Sequence, residues 1–196
     1  MNEKQKEDDG KQSKPLWRVA TVVCPPGNSI VLRAHCSLVD CGGWALDLFL
    51  GEETREHEDI DVQVPRRDQQ TIRSLLDVGD VQAAYPTTHP DAWPFRAWEA
   101  GTVLSPVVHD VWCRPSQADP WALQLMLAET DGDHWLFRRD ARLTRSLATV
   151  GRRTKNGIPY LVPELQLLYK AKEPRPKDEA DFARIAPFLI QRAVAG

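Results

Sequence analysis

The stretch from Gly42 to Pro65, GGWALDLFLGEETREHEDIDVQVP, leaves a folding chain few choices. Two glycines precede an apolar run rich in Ala and Leu, and Gly51 follows as a stop, so the spacing predicts a helix over WALDLFL. A polar connector, GEETREHE, comes next. DIDVQV then alternates polar and apolar residues, the pattern of a half-buried strand that Pro65 ends. On that strand Ile60, Val62 and Val64 share the face that reaches the core, and Asp59, Asp61 and Gln63 share the other. A helix must pack beside a sheet, and the sheet must turn carboxylates toward something other than the core. Neighbouring like charges repel and are easier to hold around a cation. Hard oxygen ligands of this kind suit Mg²⁺, which pairs one or two carboxylates with substrate phosphates. A glycine turn at a helix start lets a phosphate approach the backbone and meet free N–H groups. Alone, a glycine pair is most often a simple turn and a D-x-D most often a pair of surface acids. Their combination on consecutive elements is far more specific.

The rest of the chain predicts an α+β fold, a mixed sheet in the first two-thirds with helices at the end. WRVATVV reads as a strand, and IVLRAHCSLV as strand or helix. RRDQQTIRSLLDVGD reads as a helix with Ile72, Leu75 and Leu76 on one face, and VQAAYP as a strand. The proline-rich segment 86–120 suggests strands joined by long loops. WALQLMLAET and HWLFRRD form a hairpin around DGD. Near the end, GIPYLVPELQLLYKAK holds a turn and then a helix. Pro163 suits its first turn, Glu164 its positive end, and Lys170 and Lys172 its last turn. DEADFARIAPFLIQRAV is a second helix with Phe182, Ile185 and Leu189 on one face.

The 196 residues suggest a flexible tail over 1–15 and a single domain over 16–196. A net charge of −3 argues against a broad nucleic-acid-binding surface. No apolar run is long enough to span a bilayer, and the charged N-terminus lacks the apolar segment of a secretory signal. Cys24, Cys36, Cys41 and Cys113 form no CxxC pair, which fits free thiols in a cytoplasmic protein. Nothing in the sequence specifies an oligomeric state.

The segments GGWALDLFLG, TREHEDIDV, RRDQQ, HDVWCRP, WALQLML, DGDHWLFRRD, GIPYLVPELQLLYKAK and RPKDEADF together resemble the nucleotidyltransferase superfamily, and within it the aminoglycoside adenylyltransferase-like family. The resemblance covers roughly residues 42–188. It implies a nucleotidyltransferase-like sheet flanked by helices. It also implies Mg²⁺-dependent transfer of a nucleoside monophosphate from a nucleoside triphosphate, ATP for this family, to a hydroxyl of a small acceptor such as an aminoglycoside-type antibiotic. Asp59 and Asp61 match the metal-binding, catalytic pair, and Gly42 and Gly43 the phosphate-contacting turn. Arg55, His57, Lys170 and Lys172 are candidates for triphosphate contact, each with an ordinary structural role as the competing reading. Asp47 reads as a solvated helix position.

The sequence departs from the pattern in two places. Superfamily members commonly supply a third carboxylate from a later strand, which here is WALQLML, and the expected position falls at Gln124. An amide adds no negative charge and cannot act as a base. Glu129 and Asp131 lie just beyond as substitutes. His109 and Asp110 are adjacent on an expected strand and point oppositely, so they do not form a catalytic pair. The segment before the glycines also reads poorly as the family's helix and strand. A catalytically impaired nucleotide-binding or regulatory protein of the same fold is therefore the alternative, and modification of a protein or RNA a third reading.

Overall fold

The computed structural model describes residues 39–76, 79–88 and 94–195. The tail and the expected strand at WRVATVV lie outside them, as does all but the last residue of IVLRAHCSLV. The elements run β1 (Val39–Cys41), α1 (Gly42–Leu50), β2 (Ile60–Pro65), a 3-10 turn (Arg66–Asp68), α2 (Gln69–Leu75), β3 (Asp80–Ala84), β4 (Phe95–Ala97) and β5 (Asp110–Arg114). They continue with β6 (Leu123–Asp131), β7 (His134–Phe137), β8 (Asp140–Ser146), β9 (Gly151–Arg153), β10 (Pro159–Leu161), α3 (Pro163–Lys170) and α4 (Pro176–Ala195).

Ten strands form one mixed sheet in the order β4-β3-β5-β6-β2-β1-β10-β9, with β7 pairing the far end of β6 and β8 pairing β7. The β2/β6 and β1/β10 pairs are parallel, and β1/β2 and β5/β6 antiparallel. The expected α+β class is the observed one. Its extra strands, β8, β9 and β10, lie in segments too short or too polar to show a period.

One sheet face is apolar. Ile60, Val62 and Val64 join Val111, Cys113, Leu123, Leu125 and Leu127 there, covered by Ile72 and Leu76. Each such aliphatic side chain contributes about 1.5–3 kcal/mol on burial. The other face carries α1, α3 and the β7 aromatics, where Ala45, Leu165, Trp135 and Phe137 pack together. Leu46, Leu167 and Ile185 tie α4 to α1 and α3.

Several local expectations need correction. Asp59 lies before β2 rather than within it. Leu75 is exposed because α2 is a single short helix whose buried positions are Gln69 and Ile72. Phe182 is 58% exposed although Ile185 on the same helix is fully buried, because the contact of α4 with α1 and α3 is narrow. In the segment before the glycines, which reads poorly as the family's strand, Asp40 and Cys41 are buried residues of β1.

Candidate active site

Cys41 pairs with Asp61 across the β1/β2 ladder, so the chain leaves β1 and enters α1 beside the Asp61 carboxylate. Gly42 adopts φ +69°, a conformation that side-chain-bearing residues rarely adopt. A Cβ at Gly42 would also collide with the Asp61 carboxylate, and one at Gly43 with Arg55 and His57. Gly42 is therefore required both by the turn and by close approach, whereas at Gly43 a side chain would displace the ends of Arg55 and His57. The Gly42 N–H donates to Gln166 Oε1 at 2.9 Å, and Cys41 provides no side-chain cap. The later N–H groups of this first turn remain available to an anion.

Asp61 also pairs in register with Gln124 on β6. Burial lifts the Asp61 carboxyl to about 6, with repulsion from Asp59 and then Asp110 adding to it and Lys170 opposing it. Asp59 is raised as well, by burial first, against the pull of Lys177. Behind them burial lifts Asp40 to about 7, helped by Asp61. Carboxylates crowded in this way fit a divalent cation. Among the described residues no group of three or more His, Cys, Asp or Glu is arranged to hold a metal. Asp59 and Asp61 would hold such an ion, and Mg²⁺ commonly completes its shell with phosphate oxygens and water.

These groups open onto a cleft of about 680 Å³. Its lining includes Gly42, Gly43, Arg55, His57, Asp59, Asp61, Gln124, Lys170 and Lys172, the residues matched to metal or nucleotide from the sequence. Arg138, Arg139, Arg175 and Lys177 line it too. These four gave no sequence signal beyond their charge.

The expected side chains differ in how they are held. Asp47 is not solvated. It is 3% exposed and accepts bonds from the Thr54 N–H at 3.2 Å and hydroxyl at 2.6 Å, with His57 Nε2 2.6 Å away. Its helix face turns inward because the connector folds back over it. His57 is thereby committed on one nitrogen, and its ring lies 4.4 Å from that of Trp44. Lys170 is half-buried between Asp178 at 2.6 Å and Asp181 at 3.0 Å, which joins α3 to α4 at the cleft edge. Burial would raise Asp178, yet bonds from Arg175 and Lys170 hold it well below the usual carboxylate range. Lys172 lies beyond the end of α3, exposed, 3.6 Å from Glu173.

Glu129 does not substitute for the missing carboxylate, since it binds Arg66 Nε at 2.6 Å and is absent from the cleft lining. Asp131 is exposed at the end of β6. His109 and Asp110 do not act as a pair, but Asp110 alone reaches Gln124, whose Nε2 donates to Asp110 Oδ1 at 2.9 Å. The i, i+2 spacing of Asp110 and Trp112 was the available signal for that face. Trp112, opposite Gln124, packs its ring 6.1 Å from Trp121 and 6.5 Å from Phe95.

A glycine turn into a helix start, paired acids at the start of the adjoining strand and a charged cleft over a mixed sheet are the working parts of a nucleotidyltransferase. The chain belongs to the aminoglycoside-2''-adenylyltransferase family, whose model matches residues 30–185. No curated protein matches the chain. Among solved structures it is similar to the lincosamide antibiotic adenylyltransferase LnuA, crystallised with lincomycin bound, at 18% identity and a TM-score of 0.48 over 76% of this chain and 85% of that one.

Proposed function

We propose that the protein transfers a nucleoside monophosphate, from ATP, to a hydroxyl of a small acceptor of the aminoglycoside-antibiotic type, and that it requires Mg²⁺. The observation that carries this reading is the contact between the Gly42 turn and the Asp61 carboxylate in a cleft that also gathers Arg55, Arg138, Arg139, Arg175 and Lys177. Asp59 and Asp61 are the residues that would hold Mg²⁺. When bound, the ion would neutralise phosphate charge and favour departure of pyrophosphate. The α1 start at Gly43 and the side chains of Arg55, Lys170 and Lys172 then bind and orient the triphosphate. His57 supports this by fixing the connector to Asp47. Transfer comes largely from orientation and charge stabilisation.

We further propose a single domain over 16–196 and a cytoplasmic setting, the latter supported by the free, buried thiols of Cys41 and Cys113. A nucleotide-binding protein that has lost catalysis is the second reading, favoured by the amide at Gln124. Titration calorimetry with Mg²⁺ and a nonhydrolysable ATP analogue tests the first half of the proposal, and pyrophosphate release the second. Binding and turnover are expected, with turnover falling at least 1,000-fold, roughly 4 kcal/mol, in Asp61→Asn. A folded protein that binds no nucleoside triphosphate sinks the proposal. Binding without pyrophosphate release favours the second reading.

A further inference from the structure

Gln124 leaves the site without its expected third carboxylate, and the β5/β6 register supplies another one strand away. Asp110 pairs with Met126, and Trp112 with Gln124, so Asp110 shares the sheet face of Gln124 and Asp61. Its Oδ1 accepts the Gln124 amide at 2.9 Å, and its Oδ2 lies 3.9 Å from Arg138 Nη1. Both of these neighbours line the cleft; Asp110 stands behind them, outside the lining itself but with 28% of its side chain exposed.

Two strand spacings, about 9–10 Å, separate β2 from β5. Asp110 is also offset from Asp61 by two residues along the sheet, so it lies diagonally across Gln124 from the Asp61 carboxylate. The same span accommodates a cation at Asp61, then an α-phosphorus, then an attacking hydroxyl within reach of Asp110. A carboxylate at position 124 would repel both Asp61 and Asp110, whereas the amide donates a hydrogen bond and orients Asp110. Gln124 is on this geometry a holder for a base on the next strand.

We propose that Asp110 is the catalytic base for the acceptor hydroxyl and that Gln124 is the residue positioning it, an inference that rests on the nucleotidyl-transfer reading above. As the acceptor oxygen bonds to the α-phosphorus, its proton passes to Asp110 Oδ2. The bond from the α-phosphorus to the bridging oxygen breaks, and its electron pair leaves with pyrophosphate. General-base assistance of this kind is worth about 100- to 10,000-fold.

The test compares wild type with Asp110→Asn, Asp110→Ala and Gln124→Ala. Pyrophosphate release from MgATP is followed with water, kanamycin or spectinomycin as acceptor. Mg²⁺ and nonhydrolysable-ATP affinities and thermal midpoints are measured in parallel. The expected result for Asp110→Asn is a kcat at least about 100-fold lower with both affinities within about twofold of wild type. Added formate should restore part of the Asp110→Ala turnover, and Gln124→Ala should lower kcat about 10-fold with little change in KM for ATP. Wild-type kcat in Asp110→Asn overturns the assignment, and so does a loss of metal affinity matching that of Asp61→Asn. A loss of turnover that formate leaves untouched and that follows a fall in thermal midpoint marks Asp110 as structural, and overturns it equally. A wild-type protein that releases no pyrophosphate defeats the transferase reading itself, whereas an active Asp110→Asn defeats only this inference.

Discussion

The Asp61 carboxylate occupies the space that a side chain at residue 42 would need, which is why a glycine with φ +69° adjoins it. This crowding gives the site its pH dependence. A buried carboxyl lifted to about 6 must lose its proton before it can bind a cation. Mg²⁺ affinity is therefore expected to fall as pH drops from 7 to 5, by about tenfold per unit once below 6, with proton release on binding. Calorimetry in two buffers of different ionisation enthalpy checks both. The sign for folding is the reverse. Asp40 and Asp61 are raised above their unfolded values, so without metal they favour the folded state at low pH and cost stability as pH rises from about 4 to 7.

Between α1 and β2, the connector is an element in its own right. Asp47 reaches out of the helix to the Thr54 backbone, the Thr54 hydroxyl and His57, and Arg184 Nη1 from α4 reaches the same Thr54 hydroxyl at 3.0 Å. The clasp sets where Arg55 and His57 stand beside Gly43. Asp47→Ala leaves these donors without their acceptor, at about 1–3 kcal/mol for each buried group. Urea unfolding should register a loss of roughly 2–5 kcal/mol, with weakened nucleotide binding in the protein that remains folded. An unchanged midpoint would show that the clasp adds nothing. From the sequence Asp47 looked like one polar position on an exposed helix side. What reverses that reading is a connector that folds back over the helix, and hydropathy periodicity carries no trace of it.

Across the whole molecule the cleft depends on α4. Ile185 is fully buried against Leu46 and Leu167, and the same helix carries Asp178 and Asp181, which hold Lys170. Ile185→Ala is expected to cost about 2–5 kcal/mol. It should also raise the Kd for a nonhydrolysable ATP analogue, because Lys170 loses its restraint. Wild-type nucleotide affinity in that variant, read by calorimetry, would separate α4 from the site. Local periodicity announced α1, β2 and the β6–β7 hairpin because each buries one clean face. β8, β9 and β10 are short or exposed, and their pairing is decided by neighbours distant in sequence. Phe182 fits the apolar spacing of α4 and still lies in solvent, because spacing fixes a face but not how wide a surface meets it.

The Gly42–Val64 stretch by itself determined the turn, the helix start and the Asp61 strand, since these follow from backbone sterics, alternation and charge repulsion between near neighbours. Tertiary structure alone decided which groups surround them. The parallel pairing of β2 with β6 brings Gln124 to Asp61, and the antiparallel pairing of β5 with β6 brings Asp110 to Gln124. Strand order is set by the summed burial of both sheet faces, and no single segment encodes it.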